Sequence, residues 1–268
     1  MSKPRIKHDP DKLHMRTMDA FAVLRVPCRE DDLDIALHEA EKQRWSHLDF
    51  LVAVIGPLAD GRRERTVERR IREARFSEVK SLEGFDWKFN AKAIDRMQIE
   101  ALATCEFIRR GDNLVFVGQS GVGKSHIMQA IGRQACALDY RVRYITSADL
   151  IRDLTASLAD KTLHRRLRYY ARFDLLIIDE FGFDKLERTE SPDASNLLFK
   201  VIDSRRHDKS TVMITNIDFD VWASYLGDPP LAMALLDRLV EHSTVLKIEG
   251  KSYRAHTANK SQTQAAQP

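Results

Sequence analysis

Eight consecutive residues combine types and spacing suited to phosphate: Gly118-Gln119-Ser120-Gly121-Val122-Gly123-Lys124-Ser125, a G-x-x-x-x-G-K-S run. Glycines lack Cβ atoms, so backbone N–H groups can close around a polyphosphate. A helix beginning where the run ends aims its positive pole at the same point. Lys124 suits the β- and γ-phosphates, and the Ser125 hydroxyl suits Mg²⁺. The nucleotide-binding set read from this stretch is Gly118, Ser120, Gly121, Val122, Gly123, Lys124, Ser125 and His126.

A second stretch, Asp174 to Glu180, carries four apolar residues that end in two carboxylates. Such a run predicts a central parallel strand buried on both faces. Its acids then stand at the strand end where open α/β sheets take ligands. Asp179 reads as the group that holds Mg²⁺, directly or through water, and Glu180 as the group that polarises an attacking water. An Asp-Glu pair points to hydrolysis of the bound nucleotide, with Mg²⁺ as the implied metal.

These residues need a scaffold, and the flanking patterns supply one. Strands are expected at Asn113–Val117, Tyr140–Ile145, 210–216 and Val245–Ile248. Helices are expected at His126–Ala137, Asp149–Leu158 (capped by Thr146 or Ser147), Lys161–Arg172, Pro192–Arg206 and Leu231–Glu241. Asp228-Pro229-Pro230 reads as a turn. Strands alternating with helices predict a three-layer α/β fold around a parallel sheet. Ahead of it, Ala91 to Ile108 reads as one helix with Ile94, Met97, Ala101 and Leu102 inward, ended by Gly111. Phe85-Asp86-Trp87 reads as an anchor packed on the same domain.

The expected division is a helical N-terminal domain over residues 1–80, an ATP-binding domain with its connector over 81–254, and a flexible tail over 255–268. The tail contains no Ile, Leu, Val or Phe. The first ten residues read as disordered. Asp31 and Asp32 are candidate caps for a helix bearing Leu33, Leu37 and Ala40. Leu48, Leu51, Val52 and Ile55 form a helical stripe, which Pro57 and Gly61 punctuate.

Bulk properties narrow the class. With 43% hydrophobic and 31% charged residues, the chain reads as soluble and globular. Its longest apolar run, Phe50 to Ala59, is broken by Gly56 and Pro57 and is too short for a bilayer, so no membrane partner is expected. Cys28, Cys105 and Cys136 are odd in number and far apart, which suits reduced thiols in a cytoplasmic protein. The net charge of +3 permits a nucleic-acid partner without demanding one. The charge is uneven, however. Between Arg62 and Phe76 there are seven arginines and three glutamates, and Lys161, Arg165, Arg166, Arg168 and Arg172 stand on one helix with no acid among them. Each stretch is either a solvated helix face or a phosphate-backbone contact. Arg69, Arg72, Arg75, Lys161, Arg165 and Arg166 are the candidate nucleic-acid residues. The scarcity of aromatic residues over 62–75 suits duplex backbone better than stacking on single strands.

Taken in order, several runs resemble one family. They are the loop ending Gly-Lys-Ser-His, the Leu-Leu-Ile-Ile-Asp-Glu strand, Ile214-Thr215-Asn216, Leu235-Leu236-Asp237-Arg238-Leu239-Val240, and Ser252-Tyr253-Arg254. Together they look like the IstB-type ATP-binding proteins of insertion sequences, relatives of the DnaC helicase loader. Glu73-Ala74-Arg75-Phe76, Lys80-Ser81-Leu82 and Phe85-Asp86 are similar to that family's domain junction, so the resemblance spans residues 13 to 254. It implies an AAA+ ATPase core behind a helical N-terminal domain, without a full C-terminal lid. It implies ATP hydrolysis coupled to homo-oligomer assembly on duplex DNA and to help for a cognate transposase. By the same resemblance Asn216 is a sensor orienting water, Arg238 is an arginine finger reaching a neighbouring subunit's ATP, and Arg254 senses nucleotide in its own subunit. Gln119 and Ser125 stand where the family commonly has proline and threonine; the hydroxyl is kept. Phe181 and Phe183 include one side chain larger than expected. The alternative is a replicative helicase loader. A small-molecule kinase fits less well, because no acceptor site is evident and Glu180 favours water as the nucleophile.

Overall fold

The structure, a computed structural model, describes residues 9–183, 193–205 and 209–258. These divide into two compact units, one ending at Glu68 and one beginning at Arg69. The sequence places the domain boundary at 80, whereas residues 69–80 fall in the second unit.

The first unit contains α1 (Pro10–Val23), α2 (Glu30–Gln43) and the larger part of α3 (His47–Ala74). Arg29 is the N-cap of α2, so Asp31 and Asp32 stand in its first turn instead of capping it. There they oppose the helix dipole. Pro57 and Gly61 do not interrupt α3. The residue before a proline is usually kept from the helical region by its own Cβ; here that residue is Gly56, which has none. The Leu48, Leu51, Val52 and Ile55 stripe is helical, as its spacing predicts, but all four are exposed. Leu33 and Val54 are the buried apolar residues of this unit.

The second unit is built on five parallel strands: β1 (Asn113–Val117), β2 (Val142–Thr146), β3 (Leu175–Phe181), β4 (Ser210–Thr215) and β5 (Ser243–Lys247). Their order is β2-β3-β4-β1-β5. Successive side chains on a strand face opposite ways, so both faces of this sheet must be apolar and covered. Leu114, Phe116, Leu175, Ile177, Val212 and Ile214 form one core with Ile127, Ile131 and Ala135 of α6 (Lys124–Ala137). Val115, Val117, Leu176, Ile178 and Met213 form the other. That face is covered by α7 (Ser147–Ala159), α8 (Leu163–Ala171), α9 (Ala194–Asp203), α10 (Phe219–Leu226) and α11 (Pro229–Val240). The three-layer α/β expectation is met. Arg205, fully buried, donates to Thr211 Oγ1 and to the carbonyls of Tyr170, Phe173 and Ser210, which ties the end of α8 to β4.

Four local expectations differ. Residues 91–108 are not one helix: α4 (Arg96–Ala103) and α5 (Glu106–Arg110) are separated at Cys105, which has φ 60°. Asp95 caps α4 through the N–H groups of Met97 and Gln98; Ile99 is buried and Met97 is 80% exposed. Asp228-Pro229-Pro230 is a helix start as well as a turn, since the Asp228 carboxylate caps α11 at Leu231 N. Proline fits there because its missing N–H would have no helical partner. Residues 253–258 are helical, so order continues past Arg254. Residues 1–8, Pro192, Arg206 and the last ten residues lie outside the described residues.

Candidate functional site

The loop between β1 and α6 is fastened on two sides. Gly118 N donates to Thr215 O at 3.2 Å, and Tyr253 N donates to Gly121 O at 2.9 Å. Gly121 has φ 83°, and a Cβ there would fall 2.2 Å from Ser252 Oγ, so only glycine fits between the loop and the chain's closing segment. Phe85 packs across Gly123 and edge-on to His126 at 5.1 Å. His126 Nε2 also meets Ser81 O at 2.9 Å.

Lys124 starts α6 and is 7% exposed. Its ammonium donates to Gly118 O at 2.5 Å and Gln119 O at 2.8 Å, which uses two of its three N–H groups. Burial pushes its pKa down to about 8; Asp179 opposes that shift and Arg254 adds to it. A buried cation short of negative charge, on a helix N-terminus, fits a polyanion.

The two acids sit at the tip of β3, and a bulge separates them. Ile178 pairs with Met213 and Phe181 with Thr215, so Asp179 and Glu180 together oppose the single residue Ile214. One extra residue shifts the alternation, and Phe181 consequently joins the same core as Ile178. Glu180 has φ 61° and is exposed at the cavity; Asp179 is 2% exposed. The Asp179 carboxylate accepts Glu180 N–H at 2.7 Å and the Tyr144 hydroxyl at 2.5 Å. Burial, then the Asp179 charge, pushes the Tyr144 phenol far above its ordinary range.

A cavity of about 450 Å³ collects the expected residues Ser120, Gly121, Val122, Gly123, Lys124, Ser125, His126, Asp179, Glu180, Asn216 and Arg254. Gly118 borders an adjoining cavity of about 750 Å³ with Gln119 and Lys251. The Asn216 amide, oriented by its hydrogen-bond partners, donates to Phe181 O at 3.2 Å and Gly182 O at 3.3 Å. Ser125 and Asp179 face one cavity as an Mg²⁺ site requires. Among the described residues no three His, Cys, Asp or Glu gather as a cage, and Mg²⁺ seldom uses one, since it keeps waters and substrate phosphates as ligands.

Arg238 is not among the cavity residues. It lies in the last turn of α11, paired with Asp203 at 3.3 Å and Asp237 at 2.9 Å. Arg69 and Arg72 are exposed on α3, and Arg75 just beyond it. Lys161 is in the linker before α8, not on it, and Arg165 is exposed on α8. Arg166 pairs with Asp153 at 3.2 Å, an acid the α8 sequence does not contain. Arg172 lies over the Tyr169 ring at 4.5 Å. The sequence reading missed Tyr144, Glu78, Lys80, Phe89, Asn90 and Gln129, which meet the site through tertiary contacts. Phe181 is the core residue of its pair, and Phe183 is 66% exposed. Among the described residues no helix is long and apolar enough to cross a membrane.

The family described as IstB-like ATP binding protein matches residues 24–261. The chain is 36% identical over 219 residues to an ATP-binding protein of insertion sequence IS21 from Pseudomonas aeruginosa, covering 81% of this chain and 80% of that one. It is 34% identical over 209 residues to an ATP-binding protein of insertion sequence IS232 from Bacillus thuringiensis, covering 78% and 82%. The crystal structure of DnaI superposes with TM-score 0.51 at 20% identity, over 68% of this chain and 93% of that one. AMPPCP-bound DnaA from Aquifex aeolicus gives 0.52 at 18%, over 71% and 56%. At such identities the two structures speak to the fold, that of a P-loop AAA+ core.

Proposed function

The chain belongs to the family of IstB-like ATP-binding proteins, and on that premise we propose that it hydrolyses ATP, assembles as a homo-oligomer on duplex DNA and assists a cognate transposase. The observation that carries the hydrolysis reading is the shared cavity, which Lys124, Asp179 and Glu180 all line.

Each residue then has a task. The loop N–H groups and Lys124 take the phosphates. Ser125 and Asp179 hold Mg²⁺, which when bound neutralises charge on the phosphate oxygens. Glu180, turned out of the strand by the bulge, accepts a hydrogen bond from the attacking water and then its proton. Asn216, fixed by Phe181 and Gly182 carbonyls, orients that water. Arg254 adds positive charge beside Lys124. Arg238, which does not line its own cavity, serves a neighbouring subunit, where released from Asp203 and Asp237 it meets developing phosphate charge.

Glu180→Gln tests the hydrolytic role. Turnover should fall by about 10²-fold or more while ATP binding by fluorescence titration stays within about twofold. Normal turnover in this variant would remove Glu180 from the chemistry. The relatives named for insertion sequences support a transposase over a helicase as partner. Co-purification tests that choice: recovery of a replicative helicase and no transposase would favour the loader.

A further inference from the structure

Asp179 is held from β2, which β3 and β4 separate from β1, the strand that leads into the loop. In the β2–β3 register Tyr144 lies opposite Ile177 and Thr146 opposite Asp179. Tyr144 and Asp179 are therefore diagonal neighbours on one face of the sheet, a separation an aromatic side chain can bridge. The Tyr144 hydroxyl donates to Asp179 Oδ2 at 2.5 Å, while Glu180 N–H donates to Oδ1 at 2.7 Å. Both oxygens thus have one protein donor, which fixes the plane of the carboxylate. Tyr144 is itself fixed. It is 7% exposed, its ring meets Phe76 at 6.2 Å, and Ser77 lies beside its hydroxyl. Ser77 Oγ and Glu78 N both donate to Gln129 Oε1 on α6, at 3.2 and 2.9 Å.

We propose that Tyr144 is a positioning residue for metal-bound nucleotide: its hydroxyl sets the orientation of the Asp179 carboxylate toward Mg²⁺. The inference rests on the assignment of Asp179 to Mg²⁺ made above. Hydrogen-bond partners of metal-holding groups tune affinity by about 10- to 100-fold. Phenylalanine at 144 keeps the ring and its packing on Phe76 and removes only the donor.

The test is a fluorescent ATP analogue titrated onto the full chain at a series of Mg²⁺ concentrations, for wild type, Tyr144→Phe and Asp179→Asn. In Tyr144→Phe, affinity without Mg²⁺ should match wild type, and the Mg²⁺ concentration for half-maximal enhancement should rise about tenfold. Excess Mg²⁺ should restore the tight complex. A thermal melt within a few degrees of wild type establishes that the variant is folded. An unchanged Mg²⁺ midpoint overturns the role of Tyr144, as does a loss of affinity that Mg²⁺ does not rescue. Asp179→Asn separates the two levels: if it keeps the wild-type Mg²⁺ response, the assignment of Asp179 itself is wrong.

Discussion

Lys124 carries its charge where burial disfavours it, and that has a measurable sign. Its pKa in the fold, about 8, lies below the ordinary lysine value of 10.5. The charged form therefore costs stability at pH values below about 8, and the cost fades as pH rises through that value. Lys124→Met should raise the melting temperature of the nucleotide-free protein at neutral pH while abolishing ATP binding. Phosphates next to the ammonium favour its protonated form, so above about pH 8 binding takes up a proton. Affinity for ATP should fall as pH rises from about 8 to about 10, by up to about tenfold per unit. Calorimetry in buffers of differing ionisation enthalpy reads that uptake directly; affinity independent of pH over this range would contradict it. The loop and the acid pair were legible in the sequence because each is contiguous and its residue types answer one chemical need. Tyr144 was not legible, because it reaches Asp179 only through the register of β2 on β3. Neither the length of the chain between them nor any local pattern encodes that register.

At the level of elements, the bulge in β3 does what a regular strand cannot. Strict alternation would send Glu180 to the face of Ile178; the extra residue and φ 61° turn it toward the cavity instead. A non-glycine residue at such a φ costs of order 1–3 kcal/mol and persists only where its surroundings enforce it. Gly182 is part of that enforcement. It has φ 86°, and a Cβ there would stand 2.6 Å from Ile217 Cγ1 and 3.0 Å from the Asn216 side-chain amide. Gly182→Ala should lower stability by about 1–3 kcal/mol in urea unfolding. It should also depress turnover more than ATP binding, since it displaces Glu180 and Asn216 but not the loop. Retention of full turnover would mean that the bulge is incidental. Strands β1, β3 and β4 were legible from apolar runs, since a parallel sheet buries both faces, β2 from its alternating β-rich residues, and β5 as a short strand at 245–248. The break at Cys105 and the continuity through Pro57 were not. The first depends on packing around a left-handed residue, and the second on Gly56 relieving a clash, which a rule that treats proline as a stop overlooks.

For the molecule as a whole, the proposed function puts DNA on exposed arginines and completes each ATP site between subunits. Arg69, Arg72 and Arg75 follow one another at the end of α3 and just past it. Arg143, buried on β2, donates to Glu73 O at 3.5 Å and lies within electrostatic reach of both Arg75 and Tyr169, so the end of α3 and α8 border the same sheet edge. Replacing Arg69, Arg72 and Arg75 by Gln should weaken duplex binding similarly for every sequence. The slope of log affinity against log salt should fall by about 0.9 for each phosphate that is no longer neutralised. An unchanged slope would leave this face as a solvated helix surface. The charge imbalance of these stretches was visible in the sequence, but the pairing of Arg166 with Asp153 was not, since the acid comes from a different helix. The central claim is that hydrolysis needs neighbours on DNA, and its most direct test is ATP turnover per subunit against protein concentration, with and without duplex DNA. The expected rate rises with concentration, rises further with duplex, and is lost in Arg238→Ala although that variant still binds ATP. A rate per subunit that is flat with concentration, indifferent to duplex and intact in Arg238→Ala would mean a self-contained active site and would contradict the claim.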